Sequence, residues 1–450
     1  MTSPSPSPSP APALTARLAA LSPRQRALLQ ARLAEAKPQE RLTPGQRRLW
    51  ETHHAIDGRP ADVVCQVVAL TGAEVDLDEL AARLAGFVRD HEALRTTFTE
   101  TDGEIRPVVR PDLPPRVTRA HCATAEEAHA AARDLAHEPF DLAEGPLFRV
   151  VLATGASAKE AWLLVVVHNL VFDAWSFQLL LEALGRDAGA TAPTVTPFSR
   201  WARGQETWVA GDAGRAAAGY WAAELADAPP PLPTDRPRTG TTTRTGARVE
   251  FALPAEVGAG IATLAKGAAA SAYAGWLAVA WAALAEFGGH PDVLLGTFTA
   301  GRDRPGAESA VGYLLNVLPV RLREAGDGSW AARVRAARDA SRAGLRHAAH
   351  PGELIDVPRR VPGTHPLLDA VFVFDALEET AHTLQGAEVS TTDVDKGVAR
   401  YDLTLAVHPG AEGVTGWLEY DTDLYEEVTA ERLAELFTVA AGQASREGGR

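Results

Sequence analysis

Between Leu42 and about Val209, short runs dense in Val, Leu and Phe alternate with longer segments whose apolar residues return every three or four positions. VVCQVVAL (63–70) and FRVVLA (148–153) have the length and β-branched content of strands, whereas LDELAARLAGFVRDH (77–91) gathers its leucines and phenylalanine on one helical face. This alternation predicts an α/β lobe. The same grammar returns further along: a strand at ARVEFALP (247–254), an Ala-rich helix over 271–287, strands at DVLLGTFTA (292–300) and LLDAVFVFD (367–375), and a strand pair around 402–421. Between the two stretches lies APPPLPTDRPRTGTTTRTG (228–246), where proline fixes φ and removes donors, so that no regular element persists. The pattern therefore divides the chain into a leader (1–40), a first lobe (41–227), a connection (228–246) and a second lobe (247–450).

The leader has two parts. Residues 2–13 (TSPSPSPSPAPA) neither bury apolar surface nor sustain a hydrogen-bond ladder and are expected to be disordered and extended. In LTARLAALSPRQRALLQARLAEA (14–36) leucines fall at helical spacings, with Ser22-Pro23 as an N-cap and first-turn pair, which predicts two short amphipathic helices suited to docking a partner.

Composition narrows the function classes. The 450 residues, 46% hydrophobic, suffice for two medium cores. A net charge of −14 without any block of Lys and Arg argues against nucleic acid as a partner. There is no apolar run of 18 residues and no charged-then-apolar N-terminus, so neither a membrane span nor a secretory signal is expected, and the location expected is cytoplasmic. Cys65 and Cys122 are too few for a disulfide framework, and no Cys/His spacing suits a metal; the pair His53-His54 reads as solvent-facing or core.

One segment stands apart. In LLVVVHNLVFDAWSFQLLLEAL (163–184) an apolar strand breaks at His168–Ala174 and resumes as a helix. No Gly-x-Ser-x-Gly elbow surrounds Ser176, which reads as a cap of that helix, not a nucleophile.

This segment resembles the HHxxxDG signature of the condensation domains of nonribosomal peptide synthetases, written here as HNLVFDA. Five further stretches match the family in order: LTPGQRRLW (42–50), RDHEALRTTF (89–98), YWAAELADAPPPLPTDRPR (220–238), GTFTAGRDRP (296–305) and VGYLLNVLPVRL (311–322). The resemblance implies an α/β fold of two chloramphenicol-acetyltransferase-like lobes in a V, with a tunnel at their junction. It also implies carrier proteins, acting in trans because the chain has no carrier motif, that bring substrates on phosphopantetheine arms. An amine on the acceptor arm would attack the thioester on the donor arm, with no bound metal or cofactor.

The resemblance assigns roles residue by residue. Asp173 fixes the loop through a salt bridge to Arg302, and a carboxylate so held is a poor general base. His168 aligns with the first family histidine, which packs into the lobe; side chains alternate along a strand, so a one-residue slip turns its imidazole away from the tunnel. Asn169 stands where the family carries its catalytic histidine. Its amide has no proton that titrates near neutral pH, yet it donates and accepts hydrogen bonds. A general base contributes typically about 10²–10⁴ in rate, whereas positioning two reactants supplies roughly 7–11 kcal/mol, so losing the base weakens catalysis without abolishing it. Ala174 replaces the motif glycine and requires a backbone tolerant of Cβ. Trp175 is expected to pack, and Arg95 and Asn316 to organise the core and lobe interface; Tyr401 and Asp402, in RYDLTL, match a late family motif on a strand of the second lobe, for which a tunnel-facing position is the lesser reading. Two functions compete: an acyltransferase, or an inactive condensation fold that recruits a tailoring enzyme, as the oxygenase-recruiting domains of glycopeptide synthetases do. Hydrolysis, cyclisation and dehydration also normally need a base, and HNLVFDA lacks the extra Asp of cyclising relatives.

Overall fold

The computed structural model describes residues 41–186, 194–238, 243–323, 327–347, 368–375, 383–410 and 412–449. The leader, with its two expected helices, lies outside them, as do residues 239–242 of the connection.

Helix α1 (Pro44–Ala55) starts where Thr43 and Gln46 cap each other reciprocally and Pro44 occupies the first turn. A 3-10 turn (Pro60–Asp62) leads to β1 (Val63–Thr71); α2 (Leu77–Asp90), capped by Asp76, follows. Strands β2 (Thr96–Thr101) and β3 (Glu104–Val109) form a separate hairpin around Asp102-Gly103, both at positive φ, as a two-residue hairpin turn demands. Next come β4 (Arg116–His121), α3 (Ala125–His137), β5 (Phe148–Thr154), β6 (Glu160–His168), α4 (Ala174–Gly185), α5 (Phe198–Ala210) and α6 (Asp212–Leu225). The second half runs β7 (Gly246–Pro254), α7 (Ala255–Gly267), α8 (Ala272–Gly288), β8 (Val293–Thr299), β9 (Asn316–Leu322), α9 (Trp330–Arg346) and β10 (Ala370–Phe374). It closes with β11 (Thr383–Leu384), β12 (Ala387–Asp393), β13 (Leu403–Pro409), β14 (Gly413–Asp421) and α10 (Glu427–Gly448).

These strands build two mixed six-stranded sheets, in the orders β11-β12-β1-β6-β5-β4 and β7-β14-β13-β10-β8-β9. Strand β6 is buried along nearly its whole length because it sits inside the first sheet with both faces covered, which suits its unbroken run of Leu and Val. Full burial of each such side chain is worth about 1.5–3 kcal/mol. In the second half α8 is apolar on all sides and buries ten residues between its neighbours, the expected pattern for a helix enclosed in a core.

The division of the chain needs one correction. Strands β11 and β12 belong by sequence to the second lobe, yet β12 pairs antiparallel with β1 from Gln66↔Asp393 to Thr71↔Glu388 and so completes the first sheet. The alternation in AEVSTTD marks an edge strand with one covered face; it does not specify which sheet that edge completes. Arg248 on β7 reinforces the crossing: its guanidinium lies 3.1 Å from Glu419, 3.4 Å from Asp393 and 4.1 Å over the Trp417 ring.

The described part of the connection, 228–238 and 243–245, contains no helix or extended strand. It is strapped to the second sheet. Asp235 and Arg236 donate their N–H groups to the Leu424 carbonyl, and Arg238 and Arg244 reach the buried Asp402 at 3.0 and 3.1 Å. Among the described residues no single helix is long and apolar enough to cross a membrane.

Candidate functional site

Strand β6 ends at His168, a 3-10 turn takes Asn169–Val171, and Asp173 caps α4 by accepting the Ser176 N–H. The turn is held from outside by Gln46, whose side-chain amide donates to the Leu170 carbonyl at 2.9 Å. The stretch LTPGQRRLW thus acts on the signature directly: the helix cap that Thr43 and Gln46 form also braces the signature turn.

Asp173 is saturated. Oδ1 accepts from the Ser176 N–H at 2.8 Å, the Ser176 hydroxyl at 2.8 Å and Arg302 Nη2 at 2.9 Å; Oδ2 accepts from Arg302 Nη1 at 2.8 Å and the Leu314 N–H at 3.0 Å. The pair is nearly inaccessible to water. A carboxylate with five donors around it orders structure and has no lone pair to spare for substrate. Ser176, expected to cap α4, does not: the cap is Asp173, and the Ser176 hydroxyl instead joins Asp173 to the second half by accepting the Gly312 N–H at 3.1 Å. Its actual role depends on a tertiary approach that local sequence does not encode.

The loop between β8 and β9 makes that approach possible. Gly301 sits at φ +65°, and a Cβ there would stand 1.9 Å from the Leu314 carbonyl oxygen, so only glycine lets the two ends of the loop close around Asp173. Arg302 also donates to the carbonyls of Ala300 at 2.7 Å and Ala310 at 3.2 Å.

His168 is sequestered. Its Nδ1 accepts the Leu170 N–H at 3.1 Å, which places the proton of the neutral ring on Nε2, and that N–H points at His53 Nδ1, 3.2 Å away. Burial, then His53 and the positive Arg400 and Arg149, holds this imidazole well below the usual histidine range. Both nitrogens are therefore occupied by protein, and the ring does not serve as a base for an external group. His53, which sequence left as a surface or core residue, is the partner that completes this arrangement.

Asn169 differs from both. It is half-buried in the 3-10 turn, yet its side-chain Oδ1 is shielded from solvent and has no hydrogen-bond partner. An amide oxygen left in that state costs about 1–3 kcal/mol. It lies between two side chains, His168 and Asp173, whose own hydrogen-bonding capacity is used up.

The remaining expectations separate. Ala174 is the first residue of α4 and exposed, so helical backbone accommodates its Cβ. Trp175 does not pack inside: it is 39% exposed, donates its indole N–H to the Glu308 carbonyl at 3.0 Å, and lies 5.5 Å from the Arg302 guanidinium. Arg95 lies away from the turn and ties the end of α2 to the segment after β3, donating to the Val88 carbonyl at 3.2 Å and the Pro111 carbonyl at 3.5 Å. Asn316 opens β9 opposite Thr299, at the base of the loop that carries Arg302. Tyr401 and Asp402 are buried; Asp402 belongs to the Arg238–Arg244 ion cluster, where burial raises its carboxyl above the usual range while both arginines oppose this. The lesser reading, that Asp402 faces a substrate path, gives way to a structural role, because its oxygens are committed to the strap.

A second seam runs beside the turn. Arg400 lies 2.9 Å from Asp62 and donates to the Tyr313 hydroxyl at 3.1 Å, and Tyr313 immediately precedes the Leu314 whose N–H holds Asp173. Cys65 and Cys122 are buried free thiols; burial pushes Cys65 up to about 12, so it is inert as a nucleophile. Among the described residues no group of three His, Cys, Asp or Glu is placed to hold a metal.

Comparison with known proteins places this geometry. Residues 39–447 match the family model for the condensation domain. Phosphinothricin tripeptide synthetase PhsC of Streptomyces viridochromogenes is 32% identical over 97% of this chain, which spans 43% of that relative's length. Malpinin synthetase of Mortierella alpina is 28% identical over 87% of this chain, which spans 5% of it. Among solved structures, the condensation domain from the monacolin K polyketide synthase MokA superposes with a TM-score of 0.80 at 19% identity, covering 91% of this chain and 97% of that one. The X-domain from teicoplanin biosynthesis, solved in complex with OxyB, gives 0.78 at 23% identity, covering 92% and 95%.

Proposed function

The chain belongs to the condensation domain family of nonribosomal peptide synthesis, and from that membership we propose that it is an acyltransferase joining a carrier-bound acyl or aminoacyl thioester to an amine. The observation that carries this reading is the unpartnered, solvent-shielded Oδ1 of Asn169 at the signature turn. The oxygen is closed off from solvent here, so the reading includes a rotation of the Asn169 side chain that turns it outward to accept an amine N–H. Accepting it orients the nitrogen lone pair toward the thioester carbonyl; the C–N bond forms, the C–S bond breaks, and the proton lost by nitrogen ends on the departing thiol. Asn169 does not itself take that proton. Catalysis then rests on positioning, which supplies roughly 7–11 kcal/mol when reactants are held in attack geometry. In this reading the substrates ride on phosphopantetheine arms of carrier proteins, and the tunnel between the lobes admits both arms.

The test supplies donor and acceptor on loaded carriers and follows the amide product by mass spectrometry. The chain yields product above background, and Asn169→Ala lowers the rate roughly two- to thirteenfold, the worth of one hydrogen bond at about 0.5–1.5 kcal/mol. Asn169→His restores a base and raises turnover substantially. Absence of any acylated amine above background would falsify the acyltransferase reading.

One observation favours a second reading. With His168 enclosed and Asp173 saturated, the turn holds no titratable group open to substrate. A condensation fold without a base is also suited to recruiting a tailoring enzyme to a carrier-bound substrate. In that case Asn169→His brings no gain, and the chain captures a tailoring oxygenase in native mass spectrometry.

A further inference from the structure

Helix α9 carries five arginines and one aspartate in 17 residues, within a chain of net charge −14. Two of those arginines are engaged locally. Arg333 lies 5.4 Å from the Trp330 ring and 5.9 Å from that of Trp281; Arg338 pairs with Asp339 at 2.8 Å and donates to the Ala268 carbonyl at 2.9 Å. The other three, Arg335, Arg342 and Arg346, are exposed and form no hydrogen bond or ion pair with the described residues. Seven and four residues apart, they share one face. Leu345, 51% exposed, lies beside them, and Lys266 at the end of α7 is exposed next to the Ala268 corner that Arg338 caps.

Helix stability does not account for this stripe. Arg338, Arg342 and Arg346 follow one another at i,i+4, where like charges repel by a few tenths of a kcal/mol per pair, and only Arg346 lies in the last turn, where the helix dipole favours a cation. Asp339 on the same face draws on Arg342 and Arg346 as well as on Arg338, one carboxylate against three arginines, so the surface keeps a net positive charge. From Arg335 to Arg346 the stripe runs about 17 Å at 1.5 Å per residue, the length of three turns of a facing helix. A charge of −14 over the whole molecule disfavours an extended polyphosphate, whereas a compact acidic protein face meets the stripe without crossing the negative remainder.

We propose that the exposed face of α9 docks the acidic face of a carrier protein delivering one of the two substrates. The inference rests on the carrier-dependent reading above. Helix α9 packs its buried face on β9, the strand that begins two residues after Leu314 and the Asp173 contact, so a partner on its outer face is separated from the scaffold of the site by this helix alone.

The test measures binding of a phosphopantetheine-loaded carrier domain from phosphinothricin tripeptide synthetase PhsC by calorimetry at low and moderate salt. It compares the wild type, the triple charge reversal Arg335→Glu, Arg342→Glu, Arg346→Glu, and the triple lysine variant. Charge reversal weakens binding at least tenfold and flattens its salt dependence, the lysine variant keeps most of the affinity, and turnover of small pantetheine thioesters is unchanged in both. Equal affinity of wild type and charge reversal overturns the proposal, as does tighter binding of a 20-base-pair DNA duplex than of the carrier at the same stripe. Stripe-dependent carrier binding without amide product leaves the docking site standing while the acyltransferase reading falls. Failure of the wild type to bind the carrier removes both.

Discussion

Asp173 and Asn169 are four residues apart and respond oppositely to substitution. Removing one partner of the buried Asp173–Arg302 pair, by Asp173→Asn or Arg302→Ala, strands the other charge and is expected to cost about 3–5 kcal/mol in chemical denaturation. Asn169→Ala removes an oxygen that has no partner, so its unfolding midpoint is expected to stay level or rise while condensation slows. That divergence separates a scaffold residue from a working one, and equal losses of stability in both would contradict it. Protonation follows the same logic. Burial lowers the His91 imidazole to about 4, against an ordinary value near 6.5 in the unfolded chain. Between those values the unfolded state binds more protons, so stability is complete above pH 6.5 and declines as pH falls toward 4. The slope is about 1.4 kcal/mol per pH unit, roughly 3 kcal/mol over the window. Urea unfolding at pH 7.5, 6 and 5 measures it, and His91→Gln removes its share of the slope while leaving that of the likewise depressed His168. The Asp173–Arg302 pair was legible because each residue sits in its own matched stretch. The His53 contact and the true role of Ser176 were not, since both arise from residues more than a hundred positions away.

At the level of elements, periodicity carried most of the information. Strands β1, β5, β7 and β8 and helices α2 and α8 fall within a residue or two of their expected bounds, because each buries a face that only one period satisfies. What periodicity does not encode is the closing of loops, and glycine shows the difference. Gly301 and Gly289 share φ +65°, but a Cβ on Gly301 meets the Leu314 carbonyl at 1.9 Å, whereas nothing lies within 4 Å of Gly289. Gly289→Ala therefore carries only the left-handed penalty of about 1–2 kcal/mol. Gly301→Ala is expected to exceed it clearly and to loosen the Leu314–Asp173 bond. Paired unfolding curves check the ranking; a Gly289→Ala loss as large as that of Gly301→Ala would refute it.

For the whole molecule, the two cores are not independent. Strand β12 gives the first sheet a strand from the second half, Arg248 bridges both, and the connection is strapped down by Asp402. Calorimetry is accordingly expected to record one cooperative transition, and two resolved transitions would show that the halves melt separately. The sequence displayed two lobes but not the strand they share, since an edge strand with one covered face fits any open edge. The shared strand also sets a schedule for synthesis. When β1 and β6 have left the ribosome, the outer edge of β1 still waits for residues 387–393. At about 5–20 residues per second the nascent chain holds that edge open for roughly ten seconds to most of a minute. During that interval it is an unpaired template for any passing strand, so translating copies held close together are exposed to pairing with one another before the fold is complete.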